Sequence, residues 1–312
     1  MKTIKKIIAI MLLSLAEYEV FAQQDPMVDQ YMFNQLYINP AYAGSHPYTN
    51  ATLLYRNQWI NFPGAPVTEI LSMDGSLDNN KVGLGFSLLN DHIGVSSRTG
   101  FQGDYSYHLK LNDKQVLGMG LSGGLDYYQA QLTDLIVWDQ GDNVFTSNIN
   151  SKLIPSFGTG LYLTSKLYYL GLSIPNILSY TPNTFLYLNL GNEPEFQRHY
   201  YLTGGYSYII DPKVILKPFI LLKYTKNVQP EADFNFNVLF DSVVTIGASY
   251  RTSDSFLGMI QFTISKNFRI GYAYDYPFTD LRHYSSGSQE IMLSYDLGKA
   301  ARKNGKGICY CY

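Results

Sequence analysis

Cysteine is almost missing from this chain of 312 residues: Cys309 and Cys311 are the only two, and both stand at its end. That excludes a disulfide scaffold, and the Cys-x-Cys spacing suits neither a zinc site nor a thioredoxin-type pair. Charge is scarce too, at 15% of residues, where a soluble domain carries about 25%. The 23 basic and 25 acidic residues nearly cancel, which argues against a nucleic-acid partner. Past the first 22 residues, no run approaches the roughly 18 apolar residues of a transmembrane helix. His46, His92, His108, His199 and His283 show no metal-ligand spacing, and no Gly-x-Ser-x-Gly elbow occurs. No enzyme is expected, and no catalytic residue, cofactor or metal site.

What the chain has is aromatic and apolar character: 28 Tyr, 17 Phe and a 46% hydrophobic content. Its start is a compartment signal. Lys2, Lys5 and Lys6 precede an apolar core from Ile7 to Leu15, and Val20-Phe21-Ala22 offers a cleavage site before Gln23. This reads as a secretory signal peptide over residues 1–22. No Cys lies near the cleavage point to carry a lipid anchor.

The rest repeats one pattern. Phe268, Ile270, Tyr272, Tyr274 and Tyr276 alternate with Arg269, Gly271, Ala273 and Asp275; Ile291, Leu293, Tyr295 and Leu297 alternate with Glu290, Met292, Ser294 and Asp296. Period two gives each strand one apolar face and one small or polar face. Fourteen such segments can be read: 49–59, 64–76, 81–90, 98–111, 114–127, 156–164, 166–174, 198–210, 213–225, 231–240, 242–252, 255–265, 267–277 and 286–297. Most have the length a tilted strand needs to cross a bilayer. The second sorts least well, and Pro218 in the ninth calls for a local bulge.

Connections after even segments are tight, as at Asp78-Asn79-Asn80, Asn112-Asp113 and Asp211-Pro212. Those after odd segments are longer, including 91–97, 130–155 and 175–198. Short turns at one end and long loops at the other describe an outer-membrane barrel with the short end periplasmic. The fold expected is all-β: one transmembrane, up-and-down antiparallel barrel of about fourteen strands over residues 49–298, integral to a Gram-negative outer membrane and in contact with its lipid. Tyr105, Tyr107, Tyr272, Tyr274 and Tyr276 suit interfacial aromatic girdles.

In these registers Arg56, Gln58, Gln102, Asp104, His108, Lys110, Asp126, Lys217, Lys223, Asp233, Asn235, Asn237, Arg251, Arg269, Asp275, Glu290 and Asp296 face inward. Both signs of charge fit a hydrogen-bonded or plugged interior as well as a conducting pore. Gly118, Gly120, Ser122 and Gly124 share the inward face and read as small lumen residues; a phosphate loop would need a helix to follow. On the long loops, Trp138, Phe145, Tyr180, Phe185 and Tyr187 are candidate partner anchors, with mutual packing over the barrel mouth as the other reading.

One segment escapes alternation. Residues 23–48 contain Gln24-Asp25-Pro26, Gln30-Tyr31-Met32-Phe33-Asn34 and Asn39-Pro40-Ala41-Tyr42-Ala43-Gly44, followed by Arg56-Asn57-Gln58-Trp59 and Gly64-Ala65-Pro66. The segment reads either as a lumen plug or as a periplasmic contact. This set resembles the opening of the PorP/SprF family, barrels of the type IX secretion and gliding machinery of Bacteroidetes. The ending is similar as well, in Gly271-Tyr272-Ala273-Tyr274-Asp275 and Gly287-Ser288-Gln289-Glu290-Ile291-Met292-Leu293. The tail at 299–312, basic and then carrying Cys309 and Cys311, runs past the usual family ending.

The resemblance implies a protein that works with type IX secretion components. It implies either docking or attachment of one secreted surface protein, an adhesin, or a core place in the secretion machine; because the family is commonly multi-copy, the partner-specific role is favoured. Its motif residues here are Gln30, Tyr31, Asn34, Asn39, Pro40, Tyr42, Gly44, Arg56, Gln58 and Trp59. From the residues alone, a diffusion channel or transporter for small solutes stands as the alternative.

Overall fold

A strand in hydrocarbon must pair every backbone N–H and C=O, and a sheet does so without an edge only by closing on itself. In the computed structural model, which describes residues 25–46, 48–77, 80–134, 148–178, 197–252 and 254–297, the sheet closes. Its strands are β1 (Thr49–Asn57), β2 (Val67–Leu77), β3 (Val82–Ile93), β4 (Ser96–Lys110), β5 (Gln115–Ala130), β6 (Ile149–Ser165), β7 (Tyr168–Ile174), β8 (His199–Tyr206), β9 (Tyr208–Asp211), β10 (Val214–Thr225), β11 (Glu231–Phe240), β12 (Val244–Arg251), β13 (Ser255–Thr263), β14 (Phe268–Pro277) and β15 (Ser288–Leu297). Neighbours are antiparallel, and β1 pairs with β15 from Thr49 opposite Leu297 to Asn57 opposite Gln289. Since β8 and β9 are halves of one stave interrupted at Ser207 and both pair with β10, the barrel has fourteen staves.

All fourteen alternating segments are strands, with three local departures. The connection expected at 91–97 is a hairpin over Gly94 and Val95: β3 runs on to Ile93 opposite Ser96, and Gly94 supplies the left-handed φ of +56° that such a turn demands. β6 starts at Ile149, because pairing with β5 continues through Pro155 opposite Leu125 and Ile154 packs with Tyr128 and Ala130. At Pro218 the ladder to β11 stays in step. The expected bulge lies instead between Val214 and Ile215, and the stave opposite breaks at Ser207, whose N–H donates to Leu167 O (2.7 Å). That break beside Pro218 absorbs the N–H that proline lacks.

The outward face is the apolar belt that lipid requires: Leu53, Leu121, Phe157, Phe234, Phe236 and Ile291 are all exposed. Aromatics gather near strand ends, as where Tyr250, Phe256 and Phe278 meet with ring centroids 5.2–5.9 Å apart. Tyr105, Tyr107, Tyr272 and Tyr276 are exposed as a girdle requires, and Tyr274 is half-buried with its hydroxyl donating to Ser286 O. Inward, the expected polar face is interleaved with Leu54, Ile70, Tyr162, Phe219, Leu221, Met259 and Met292, all buried. This resolves the poor sorting of β2. Thr68, Ile70, Ser72 and Asp74 face in together, and Ile70 is apolar because an apolar body fills the lumen.

Candidate functional site: the filled lumen

That body is the segment from Asp25 to His46. Its side chains lie against the inward faces of the strands, and it is called the plug below. With no strand or helix period, the segment turns in three 3-10 elements, Tyr31–Phe33, Gln35–Tyr37 and Pro40–Tyr42. Asn39 caps the last, its Oδ1 accepting from Ala41 N (3.0 Å) with Pro40 in the first turn. Gly44 leaves it at φ +68°. Met32, Ala41 and Ala43 are 0% exposed and Tyr31 and Leu36 1%, so the wall encloses the segment on all sides.

Its upper part is held by charge. Asp25 lies beside Arg98 in β4 (2.6 Å) and His199 at the start of β8 (3.2 Å); Arg98 also binds Asp126 in β5 (2.9 and 3.1 Å). These positions adjoin the long connections, so the described plug begins at the outer end of the lumen. Burial by itself would raise the Asp25 carboxyl, but Arg98 and His199 outweigh it and hold Asp25 well below the usual carboxylate range. On the opposite wall Asp29 is paired with Arg56, which reaches Asp275 (3.0 Å) and Glu290 (3.5 Å). Arg251 adds contacts to Asp29 (3.3 Å) and Asp233 (3.0 Å). Glu290 accepts the backbone N–H groups of Asp29 (2.6 Å) and Gln30 (2.7 Å), and Tyr31 donates to Asp233 (3.2 Å) while accepting from Asn235 (2.9 Å). Buried charges are tolerable only when paired and hydrogen-bonded in this way.

The lower part is held by close approach. The plug backbone lies against the inward glycines of β3 and β5. A Cβ on Gly118 would stand 2.6 Å from Ala41 O, one on Gly120 would overlap Ala41 N, and one on Gly83 would overlap Ala43 O. Wall groups then satisfy the plug's polar groups: Ser106 donates to Ala41 O (3.1 Å) and Ser173 to Ile38 O (2.6 Å), while the plug's Asn39 Nδ2 donates to Leu161 O (3.1 Å) and its Gly44 N to Asp74 (2.8 Å). His108 Nε2 meets Ala43 O at 3.0 Å.

Of the motif residues, Gln30, Tyr31, Asn34, Asn39, Pro40, Tyr42 and Gly44 belong to the plug, and Arg56 grips it. Asn34 accepts from Ser72 (3.0 Å). Gln58 and Trp59 are not in the plug. They begin the β1–β2 connection, where Gln58 N donates to Pro66 O and Trp59 takes a φ of +48°. Lys110, expected inward, is exposed at a turn against Asp113 (2.8 Å), since β4 there has passed the end of the lumen. Asp25 and Asp29, the plug's own anions, were not singled out by the sequence, because nothing in it pairs them with a wall guanidinium. The candidate anchors Trp138, Phe145, Tyr180, Phe185 and Tyr187, the signal segment 1–22 and the tail 299–312 lie outside the described residues.

The family model for the type IX secretion system membrane protein PorP/SprF matches residues 20–295. No curated protein matches in sequence. Among solved structures the barrel is similar to the CymD monoaromatic hydrocarbon channel, at 12% identity over 86% of this chain and 92% of that one, with a TM-score of 0.51. It is also similar to the toluene transporter TbuX of Ralstonia pickettii (11%, 86% and 92%, TM-score 0.49) and to Omp33 of Acinetobacter baumannii (10%, 81% and 98%, TM-score 0.45). At such identities the likeness shows the outer-membrane barrel fold alone.

Proposed function

Since the chain belongs to the PorP/SprF family of type IX secretion system membrane proteins, we propose that this integral outer-membrane barrel is a docking or attachment partner, not an enzyme, for a secreted surface protein, an adhesin. The observation that carries the reading is the filled lumen. Asp29, Gln30, Met32 and Ala41 are each 0% exposed within the barrel, which leaves a solute little room and leaves recognition to the outer surface. In sequence, the long connections carry Trp138, Phe145, Tyr180, Phe185 and Tyr187, residue types of the kind that dominate protein interfaces. The apolar belt keeps the barrel in outer-membrane lipid, and the tight-turn side faces the periplasm, where secretion components would meet it.

The test is affinity purification of the tagged barrel from detergent-solubilised outer membranes, with quantitative mass spectrometry of what co-purifies. One large secreted protein in near-equal amount is expected, and it should be lost when Trp138 and Tyr180 are replaced by Ala. Recovery of a periplasmic assembly instead would make the barrel a core machine component. A barrel that purifies alone and conducts ions in a planar bilayer would be a channel.

A further inference from the structure

The plug does not fill the lumen evenly. At the outer end a cavity of about 60 Å³ remains between the plug and β3–β6, beside Arg98 and Asp126. That is room for about two waters or for the end of one alkyl chain. It opens outward: Asp25 and Arg98 keep 21% and 16% of their side chains exposed, and Pro175 and Asn176, at the start of an outer connection, form part of the rim.

The polar groups around it are not all satisfied. Ser87, Ser156 and Tyr201 line the cavity and are each more than nine-tenths buried, yet their hydroxyls have no hydrogen-bond partner among the described residues. The Asn176 side-chain oxygen is buried without a partner as well. Asp25 and Asp126 bring two carboxylates against Arg98 and His199, and each carboxylate has acceptor positions beyond those two partners occupy. Gly100 keeps the space, since a Cβ there would stand 2.5 Å from Asp126 Oδ1. Leu89 and Ile38 add apolar wall.

We propose that this cavity is a binding site for a primary ammonium on a short alkyl chain. Three N–H donors meet the unfilled carbonyl, hydroxyl and carboxylate acceptors, and the methylenes lie on Leu89 and Ile38. An anion meets the Asp pair, and a guanidinium is too large. The site faces the side assigned above to docking and so rests on that reading; a lysine of the docked partner is one source of the group and a free alkylamine is the other.

The experiment uses the full chain in detergent micelles and saturation-transfer NMR with n-butylammonium chloride, against n-butanol and butyrate as probes of equal length. An end-blocked Ala-Ala-Lys-Ala-Ala peptide separates the sources: saturation of the peptide's lysine methylenes assigns the site to a partner lysine, and saturation of butylammonium alone assigns it to free amines. Butylammonium is expected to saturate and the two controls are not. Asp126→Asn should weaken it about tenfold, as loss of a charge-assisted acceptor does, and Ser156→Leu, which fills the cavity, should abolish it. Heat-modifiable mobility in electrophoresis checks that each variant is a closed barrel. Equal signals from butylammonium and butanol, no signal at all, or unchanged binding in a folded Ser156→Leu barrel would overturn the site. None of these results bears on the co-purification test, so the two proposals fail separately.

Discussion

The outer and inner ends of the plug are held by different physics. At the outer end, Asp25 and Asp29 meet Arg98, Arg56 and Arg251 across gaps that side chains bridge. At the inner end, Ala41 and Ala43 press main chain against Gly118, Gly120 and Gly83 with no side chain between. A charge network tolerates small shifts but not the loss of a member, because a buried ion without its partner is costly. A backbone seated on glycine tolerates the loss of almost any side chain but not the gain of one. The outer end should therefore fail by subtraction and the inner end by addition.

The largest effect is expected from addition. Gly120→Val would place two methyl groups where Ala41 lies, and neither the closed sheet nor the plug main chain can move aside cheaply. The plug should leave its seat while the barrel, held by the β1–β15 ladder, stays closed. Planar-bilayer recordings should then show higher ion conductance than the wild-type protein gives. A Gly120→Val protein that conducts no better, with its plug amides still protected from exchange, would show that the inner seat yields more easily than its contacts suggest.

Subtraction comes next. Arg56→Ala removes a guanidinium shared by Asp29, Asp275 and Glu290, leaving the first two to Arg251 alone, a loss of about 3–5 kcal/mol for a broken buried pair. Hydrogen exchange at the Asp29 and Gln30 amides, both bound to Glu290, should speed up accordingly, with the amides near Gly44 little changed. Adding Asp29→Asn should recover part of the loss, since it removes one of the surplus negative charges. Equal acceleration at both ends would mean that the plug opens as one unit.

The barrel was legible because alternation is a local signal that membrane and lumen impose on every strand; the fourteen staves and most of their inward residues follow from it. The plug was not decidable from the same evidence. A segment enclosed on all sides has no polar face to show a period, so Tyr31, Phe33, Tyr37 and Tyr42 called for burial without saying where. Its imprint is nonetheless in the strands. Gly118 and Gly120 on one face of β5, and Ile70 among polar neighbours in β2, are the mould of the plug, read as small lumen residues and as poor sorting. The pairing of Asp29 with Arg56 could not be read, since the two come together only when the barrel closes around the chain.

Acidity should separate the two ends with a smaller effect. His46, just below Gly44, meets the Tyr42 hydroxyl at 2.5 Å through Nε2 and stacks on Tyr48 (centroids 5.0 Å apart). Burial, with Arg269 adding to it, lowers its pKa from 6.5 to about 4. The folded protein thus binds fewer protons than the unfolded chain between those values, so stability is complete above about pH 6.5 and falls as pH drops toward 4. The loss should be on the order of 1–3 kcal/mol for a ring that keeps some exposure, as protonation ends its acceptance of the Tyr42 hydroxyl. Asp25, held below the usual carboxylate range, stays ionised and keeps Arg98 through the same interval. Corrected for intrinsic rates, exchange at the Ala43 and Ser45 amides, which close the last turn on Pro40 O and Tyr42 O, should accelerate from pH 7 to pH 4.5. His46→Gln, which keeps a neutral acceptor, should flatten that dependence. Were the Ala43 and Ser45 amides to keep their full protection at pH 4.5, His46 would be a bystander and the inner end would owe nothing to charge.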